Sequence, residues 1–382
     1  MTRIDADWLG DRASQTVCAM LEDAGHVAYF VGGCVRNALL GAPVSDLDIS
    51  TDARPRRVLE LAAAAGIRAV PTGIDHGTVT LVVGHTPFEV TTFRRDVETD
   101  GRRAVVAFAD NVEDDAHRRD FTMNALYAAR DGVVLDPVGQ GIADLNARRL
   151  RFIDDADLRI REDYLRILRF FRFHAWYADP EAGFDPDGLA ACAANSAGIE
   201  TLSRERIGTE MKKLLAAPDP ERAVAAMAQS GVLAQILPGS DARFLPILIH
   251  LEDGCAPDPV RRLGALGGTD VAAHLRLSRV EARHLDEIQN ASGSPAAMGH
   301  TLGKDKARDA ILLRAALTEQ PLPPNWRTEV ERGVATEFPL KPADLMPELQ
   351  GKALGQALNR AKEAWLAADL KPNRAALLQT LR

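Results

Sequence analysis

The chain has 382 residues, which is long for a single hydrophobic core and predicts two or three domains. Its formal net charge of -8 argues against a surface that is basic all over, although it is compatible with a local basic groove. No apolar run approaches the ~20 residues that a membrane span needs, and the N-terminus lacks the pattern of a signal peptide. Scattered cysteines without a CxxC pair indicate reduced thiols in a cytoplasmic protein rather than a zinc site.

The first third of the chain alternates between helix-like and strand-like segments. Helical spacing of apolar residues predicts helices over residues 8–23, 34–40 and 54–66. Short apolar or alternating runs predict strands over residues 27–31, 47–50, 67–70, 79–83 and 88–93. Because strands and helices alternate, this part of the chain is predicted to be a mixed α/β sheet domain.

Two short motifs lie between these strands. Gly32 and Gly33 predict a turn whose backbone N–H groups approach a ligand closely, with Arg36 on the helix that follows. Asp46 and Asp48 are two residues apart in a strand, which puts both carboxylates on one face. Such like charges repel, so a divalent cation between them is the natural resolution. Each motif alone is typical of an ordinary turn or strand end, but together they predict a site for a nucleoside triphosphate and Mg²⁺.

A polar and charged stretch follows at residues 94–115, with Asp100, Gly101, Arg102 and Arg103 at its centre. Its length and charge predict a long mobile loop. Long loops in compact domains are often functional, so we expect this segment to take part in activity.

From residue 163 onward the pattern becomes helical. Arg166, Arg169 and Arg172 recur every third residue and wind partly round one predicted helix. An ordinary solvated face would mix charges of both signs, whereas this one carries only arginine after Asp163. Beyond residue 178 the helical pattern continues, for example over residues 205–215, 221–230 and 352–367. The remainder of the chain is therefore predicted to be all-helical.

Five motifs occur in an order found in a known family: Gly32-Gly33-x-Val35-Arg36, Asp46-x-Asp48, Arg118-Arg119-Asp120, Asp136-Pro137 and Glu162-Asp163-x-x-Arg166. In these motifs the chain resembles class II tRNA nucleotidyltransferases and bacterial poly(A) polymerases. The resemblance implies an α+β protein with a mixed α/β, polymerase-β-like nucleotidyltransferase head over residues 1–150. A helical neck and RNA-binding region over residues 151–240 would follow, and then a helical, tRNA-binding body and tail over residues 241–382.

The resemblance also implies a role for each motif. Asp46 and Asp48 would be the catalytic residues and the ligands of Mg²⁺, with Glu89 as a weaker third carboxylate. The residues expected to bind the nucleotide are Gly32, Gly33, Arg36, Arg119, Asp120, Glu162, Asp163, Arg166, Arg169 and Arg172. The chain departs from the usual Arg-Asp end of the first motif, because Asn37 follows Arg36 and removes an ionic group there. It also shows no paired His-Asp signature of a phosphohydrolase domain, so hydrolysis is not expected.

The chemistry of base selection can be argued from the residues themselves. Cytosine and adenine each offer an exocyclic amino donor beside a ring-nitrogen acceptor. Asp163 can accept from the amino group while Arg166 donates to the ring nitrogen. Uracil and guanine would leave both protein groups unpaired, which can discriminate ~10⁴-fold without a template. The competing interpretation is an ordinary i, i+3 ion pair on a helix surface.

We therefore expect template-independent addition of CCA to tRNA 3′ ends, with tRNA, CTP and ATP as partners and no membrane or protein partner. Three alternatives remain open: a poly(A) polymerase of the same fold, an enzyme that adds only part of CCA, and a catalytically silent RNA-binding protein. In the enzymes that the chain resembles, a mobile loop at this position is associated with the change from C to A addition, and relatives that add only CC have it shortened. Residues 94–115 are near full length by that comparison, with Arg102 and Arg103 retained, so the resemblance implies complete CCA addition. Intact Asp46 and Asp48 argue against a silent protein.

Overall fold

The computed structural model of the chain describes residues 2–99 and 104–381. Over these residues the chain forms two compact units. The first contains the residues up to Glu210 together with Gln229–Gln235, and the second contains Met211–Ala228 and the residues from Ile236 onward. The predicted domain limits at residues 150 and 240 stay predictions.

The strands described all belong to the first unit. They are β1 (Tyr29–Val31), β2 (Leu47–Thr51), β3 (Arg68–Gly73), β4 (Thr78–Val83), β5 (Thr86–Thr92), β6 (Arg94–Thr99), β7 (Ala104–Phe108), β8 (Tyr127–Ala128) and β9 (Val134–Leu135). One sheet has the order β3-β4-β5-β2-β1-β8-β9, and β6 pairs with β7 in a separate ribbon. Neighbouring strands of the sheet are antiparallel except β2 and β5, which are parallel.

The helices divide into those of the head and those of the helical remainder. Up to residue 215 they are α1 (Asp7–Gly10), α2 (Arg12–Glu22), α3 (Gly33–Leu39), α4 (Pro55–Ala64), α5 (Val112–His117), α6 (Gly141–Asn146), α7 (Ala156–Glu162), α8 (Leu165–Tyr177), α9 (Pro186–Ala194) and α10 (Arg204–Leu215). After it they are α11 (Glu221–Gln229), α12 (Val232–Ile236), α13 (Phe244–Leu251), α14 (Pro259–Leu266), α15 (Val271–His274), α16 (Arg279–Gln289), α17 (Pro295–Leu302), α18 (Lys304–Thr318), α19 (Trp326–Ala335), α20 (Gly351–Ala367) and α21 (Arg374–Thr380). A mixed sheet followed by helices confirms the predicted α+β class.

The head sheet buries one face and leaves part of the other open. Ile49, Phe88 and Val90 are almost fully buried, and helices α2 and α4 pack against β4. Because successive side chains of a strand point to opposite faces, Asp48 and Glu89 point away from this core. The alternation of apolar and acidic residues therefore places the carboxylates where a ligand can reach them.

Two local predictions in the head were wrong. The single helix predicted over residues 8–23 is broken at Asp11, whose side chain accepts the Ala13 backbone N–H and caps α2. The long loop predicted over residues 94–115 is instead the β6–β7 ribbon followed by α5, with Arg94 opposite Phe108. The apolar run 104–108 explains the ribbon, since it can pair with a strand despite its charged neighbours. Asp100, Gly101, Arg102 and Arg103 lie outside the described residues.

The second unit is built around α18. Helices α13, α14, α16, α17 and α19 pack against it, and its Ile311, Leu312 and Leu313 are buried. A buried ionic network accompanies this core: Arg261 donates to Glu252 at 2.8 Å and to Asp309 at 2.7 Å. No helix in the described part of the chain is long and apolar enough to cross a bilayer.

Candidate active site

Three carboxylates converge on one cavity of the head. Asp46 immediately precedes β2, Asp48 lies within β2, and Glu89 lies within β5. The parallel register of these strands puts Asp48 directly beside Glu89. All three residues line a cavity of about 500 Å³, which Trp8 also lines. The structure thus brings together both predicted catalytic aspartates and the weaker candidate Glu89.

The electrostatics of this cavity favour a cation. Burial and the charge of Glu89 raise the pKa of Asp48 to about 6, and the opposing charge of Arg119 does not compensate. Clustered carboxylate oxygens are the ligands that hard divalent cations prefer. The residues present therefore fit a divalent metal, which would relieve the repulsion that raises the pKa.

The glycine turn leads from β1 into α3 and allows a close approach. Gly32 has φ 72°, a conformation that L residues with side chains rarely adopt. A Cβ at Gly32 would lie 3.4 Å from Nη1 of Arg119. Glycine at this position therefore lets Arg119 pass close to the backbone of the turn.

Arg36 is buried and its guanidinium is engaged by neighbouring side chains. Its Nε and Nη2 donate to Oδ1 of Asn37 at 3.1 and 2.8 Å, and Nη1 donates to Oδ1 of Asn124 at 2.5 Å. Nη2 also donates to the Tyr177 hydroxyl at 2.9 Å. The amide oxygen of Asn37 thus accepts both hydrogen bonds without carrying a charge. The predicted role of Arg36 in triphosphate binding stays a prediction.

A second, smaller cavity in the first unit brings together half of the predicted nucleotide-binding residues. Its volume is about 210 Å³, and its lining residues are Arg118, Arg119, Asp120, Asp163, Arg166 and Arg169. They come from the segment after α5, from the junction between α7 and α8, and from the first turns of α8. This cavity carries four guanidinium groups, which suit a polyphosphate.

Arg119 is held by a buried acid that the sequence analysis did not single out. Oδ2 of Asp115 accepts from Arg119 Nη2 at 3.0 Å and from the Tyr127 hydroxyl at 2.8 Å. Oδ1 of the same residue accepts the backbone N–H of Arg94 at 3.2 Å, where β6 begins. Burial would raise the pKa of Asp115, but the charges of Arg119 and Arg118 and the hydrogen bonds from Tyr127 and Arg119 together lower it. The detectable signal was an acid four residues before Arg119, a spacing that brings two side chains together on a helix.

Asp120 orients the next arginine. Its Oδ2 accepts from Arg169 Nε at 2.7 Å, and its Oδ1 accepts from Asn124 Nδ2 at 3.0 Å. Burial alone would raise the pKa of Asp120, but Arg169 and the amide of Asn124 outweigh it and lower the pKa to about 2. Asp120 is therefore an ionised acceptor that positions Arg169 along the cavity.

The two residues expected to read the base have separate partners. Arg166 Nη1 donates to Glu162 at 2.6 Å, and Nη2 donates to the Arg118 carbonyl at 2.9 Å. Asp163 Oδ2 instead accepts from Arg206 Nη2 at 2.7 Å. The i, i+3 ion pair considered as the competing interpretation is therefore not formed. Glu162 orients Arg166. Arg206 lies on α10, far from Asp163 in sequence, so local spacing does not reveal their contact.

The arginine series of α8 is balanced by carboxylates from elsewhere in the unit. Arg166 pairs with Glu162, Arg169 with Asp120, and Arg172 with Glu210 at 2.5 Å. Tertiary contacts thus supply two of these three carboxylates, whereas Glu162 lies only four residues before Arg166. Arg172 is not among the residues lining the smaller cavity, and its guanidinium lies 4.3 Å from the Phe173 ring centroid.

Known proteins match both the head and the chain as a whole. Residues 28–151 match the poly(A) polymerase head domain, and residues 183–244 match a probable RNA- and SrmB-binding site of polymerase A. A CCA-adding enzyme from Geobacillus thermodenitrificans is 32% identical over 378 residues, which cover 93% of this chain and 89% of that protein. The chain belongs to the CCA-adding enzyme family. The predicted family is thereby confirmed.

Further comparisons bear on this family assignment. CCA tRNA nucleotidyltransferase 1 of Homo sapiens is 42% identical over 191 residues, covering 50% of this chain and 44% of the human protein. The chain thus spans about half the length of its vertebrate relatives in these alignments. A crystal structure of the Bacillus stearothermophilus CCA-adding enzyme in complex with CTP has a TM-score of 0.74 and 28% identity, covering 97% of this chain and 96% of that one.

Proposed function

We propose that this member of the CCA-adding family adds CCA to tRNA 3′ ends from CTP and ATP, without a template and with Mg²⁺. One observation carries the proposal: the carboxylate cavity and the arginine cavity are joined through Arg119. Its Nη2 lies 3.4 Å from the hydroxyl of Ser50, two residues beyond Asp48 in β2. A triphosphate held by the arginines would therefore present its α-phosphate to the carboxylates. The relatives named CCA-adding enzyme, and the one crystallised with CTP, support this proposal.

Each cavity has its own part in the proposed reaction. Asp46, Asp48 and Glu89 would hold Mg²⁺, which supplies Lewis-acid activation and charge neutralisation when bound. Arg119 and Arg169 would donate to the triphosphate oxygens as negative charge develops on the leaving group. The RNA 3′-oxygen bonds to the α-phosphorus, the bond to the bridging oxygen breaks, and pyrophosphate leaves with that electron pair. The hydroxyl proton passes to water.

Base choice is assigned to the other end of the arginine cavity. Arg166 is already oriented by Glu162 and by the Arg118 carbonyl, so little side-chain entropy remains to be lost when it donates to a ring nitrogen. Asp163 is partly exposed and has a single guanidinium partner from another helix, so it can accept an amino group from the base. This arrangement would accept cytosine and adenine and leave both groups unpaired with uracil or guanine.

The test is incorporation of labelled nucleotides into a transcribed tRNA that lacks its terminus. Two C residues and one A, followed by a stop, are expected when CTP and ATP are present with Mg²⁺. Long A tails made from ATP alone would instead identify a poly(A) polymerase, and a stop after CC would identify partial addition. No incorporation of either nucleotide would contradict an enzymatic function. The four free cysteines fit the reducing cytoplasm in which we propose that the protein acts.

A further inference from the structure

Arg36 carries a buried positive charge that no carboxylate neutralises directly. The residue is 5% exposed, and in the described part of the chain its guanidinium forms no ion pair. Its acceptors are the side-chain oxygens of Asn37, Asn124 and Tyr177, all of which are uncharged. Burying a charge without an opposite charge costs free energy, because neutral dipoles replace only part of the lost hydration. The charge of Arg36 is therefore incompletely compensated in the protein alone.

Asn37 is responsible for this imbalance. Its Oδ1 accepts from Nε of Arg36 at 3.1 Å and from Nη2 at 2.8 Å, where a carboxylate would form an ion pair. Its Nδ2 donates to the Pro43 carbonyl at 2.7 Å. That second contact fixes the orientation of the amide, because only the nitrogen side of an amide can donate to a carbonyl. Asn37 is thus held as a neutral acceptor beside Arg36.

Hydrogen bonds link Arg36 to the arginine cavity. Asn124, which accepts from Arg36 at 2.5 Å, donates to Oδ1 of Asp120 at 3.0 Å. Asp120 lines the arginine cavity and also accepts from Arg169 at 2.7 Å. One carboxylate therefore serves two guanidinium groups through this chain of hydrogen bonds. Burial lowers the pKa of Arg36, and the opposing influence of Tyr177 and Asp120 does not restore it.

A third guanidinium does not change this balance. Arg36, Arg169 and Arg172 surround the Phe173 ring, with distances to its centroid of 5.0, 5.1 and 4.3 Å respectively. Arg172 has its own partner, because it donates to Glu210 at 2.5 Å. The three guanidinium groups thus have two carboxylate partners, and one positive charge remains in excess. In a partly buried site this excess attracts an anion more strongly than a solvated charge would.

We propose that Asn37 raises the affinity of this protein for nucleoside triphosphates. Its neutral amide leaves Arg36 without a carboxylate partner, and a triphosphate in the arginine cavity supplies the missing negative charge. An aspartate at this position would neutralise Arg36 and weaken the attraction. Because CTP and ATP are taken as the ligands of that cavity, this role of Asn37 rests on the proposed function. Asn37 acts through Arg36 on phosphate binding and not on the choice of base.

The first test measures nucleotide binding without catalysis. The full-length protein is titrated with CTP, CDP and CMP in EDTA, where the negative charge of the ligand falls stepwise from CTP to CMP. We expect Asn37→Asp to weaken CTP binding roughly 5-fold at low salt, CDP binding less, and CMP binding less than about 2-fold. The loss for CTP should shrink as the salt concentration rises, because mobile ions screen the interaction. An equal loss for all three nucleotides, or no loss, would overturn the proposal.

Two further variants separate the effect of charge from that of shape. Asn37→Ser keeps the site neutral but shortens the side chain, so any loss of affinity should be equal for CTP, CDP and CMP. Asn146→Asp makes the same chemical change at the exposed last residue of α6, which lines neither cavity, and should leave all three affinities unchanged. A loss confined to CTP in Asn37→Ser would overturn the proposal, because that variant adds no negative charge.

The second test is kinetic and separates this proposal from the proposed function. During CCA addition, Asn37→Asp should raise the KM for CTP and for ATP alike, with kcat and the KM for tRNA unchanged. Discrimination against UTP should also stay unchanged, and an altered choice of base would overturn the proposal. Failure of CCA addition by the wild type, with charge-dependent binding of CTP intact, would instead overturn the proposed function.

Discussion

Asp48 and Glu89 lie side by side on the parallel strands β2 and β5, at the wall of the same cavity. Their mutual repulsion, added to partial burial, opposes ionisation of Asp48, whose pKa is raised to about 6. This arrangement is unfavourable for the protein alone and favourable for binding a divalent metal. Function and stability therefore make opposite demands on this pair.

The first prediction follows from that conflict. Asp48→Asn should reduce CTP incorporation at least ~10³-fold, because it removes a proposed metal ligand. At pH 7.5 without metal, the same variant should raise the free energy of unfolding by about 1–2 kcal/mol, after allowance for solvent screening. Asp46→Ala and Asp48→Ala should likewise abolish incorporation with the fold intact. Glu60→Gln, on the exposed surface of α4, is the control that should change neither quantity. Near-normal turnover of Asp48→Asn with Mg²⁺ would contradict the metal assignment.

The second prediction concerns Asp115, which anchors Arg119. Asp115→Asn keeps the shape of the side chain but removes its charge, so Arg119 should lose its fixed direction. We expect the KM for CTP and for ATP to rise roughly 10-fold, with the KM for tRNA unchanged. Thermal and urea unfolding should show a loss of about 1–3 kcal/mol, because the site is buried. Glu113→Gln is the control variant, because Glu113 is exposed on the same helix as Asp115. Unchanged nucleotide KM values in a destabilised Asp115→Asn would indicate a purely structural residue.

The third prediction addresses base choice. Asp163→Ala should relax discrimination against UTP and GTP, because the acceptor that tests for an amino group is lost. Arg166→Ala should lower incorporation of CTP and ATP alike. Competition assays with mixed nucleotides measure both effects, and Asp157→Ala on α7 serves as a control outside the cavity. Full selectivity at a reduced rate in Asp163→Ala would show that the base is read elsewhere.

The fourth prediction is a pH dependence of stability. The pKa of Asp120 is about 2 in the folded protein, below its ordinary value of 3.8, so the ionised side chain favours the folded state. This contribution, about 2 kcal/mol, is present above pH 3.8 and is lost as the pH falls through 2. The difference in unfolding free energy between wild type and Asp120→Asn should therefore be constant from pH 5 to 7. It should shrink steadily below pH 4. A difference independent of pH would contradict the ionised pairing of Asp120 with Arg169.

The fifth prediction concerns the ribbon. Its first strand is linked to the arginine cavity, because Arg94 donates its backbone N–H to Asp115, which accepts from Arg119. Shortening the ribbon by deleting residues 99–104 should leave C addition intact and impair addition of the final A. The products are resolved on sequencing gels, and replacement of residues 99–104 by glycine and serine at equal length controls for chain length. Equal rates of C and A addition after the deletion would show that the ribbon is not required for the change from C to A addition.

Much of the candidate site could be recognised from short-range pattern. Period two predicted Asp46 and Asp48 on the same side of one extended segment, although β2 itself begins at Leu47 and contains only Asp48. The glycine turn before α3 was identified from Gly32 and Gly33. These features depend on residues a few positions apart, whose relation is fixed by backbone geometry. Most of the residues that line the arginine cavity were identified differently, from the resemblance of short ordered motifs to those of a known family.

The tertiary structure decided which residues that are far apart in sequence come into contact. The parallel pairing of β2 with β5 put Glu89 beside Asp48. In the folded chain Asp163 forms a salt bridge with Arg206 and not with Arg166. Strand register and side-chain partners across tens of residues depend on how whole elements pack, so spacing within one segment cannot specify them. The sequence by itself thus determined the chemical groups of the site and their local order. Packing of the head determined the pairs they form, and it placed Trp8 at the wall of the carboxylate cavity.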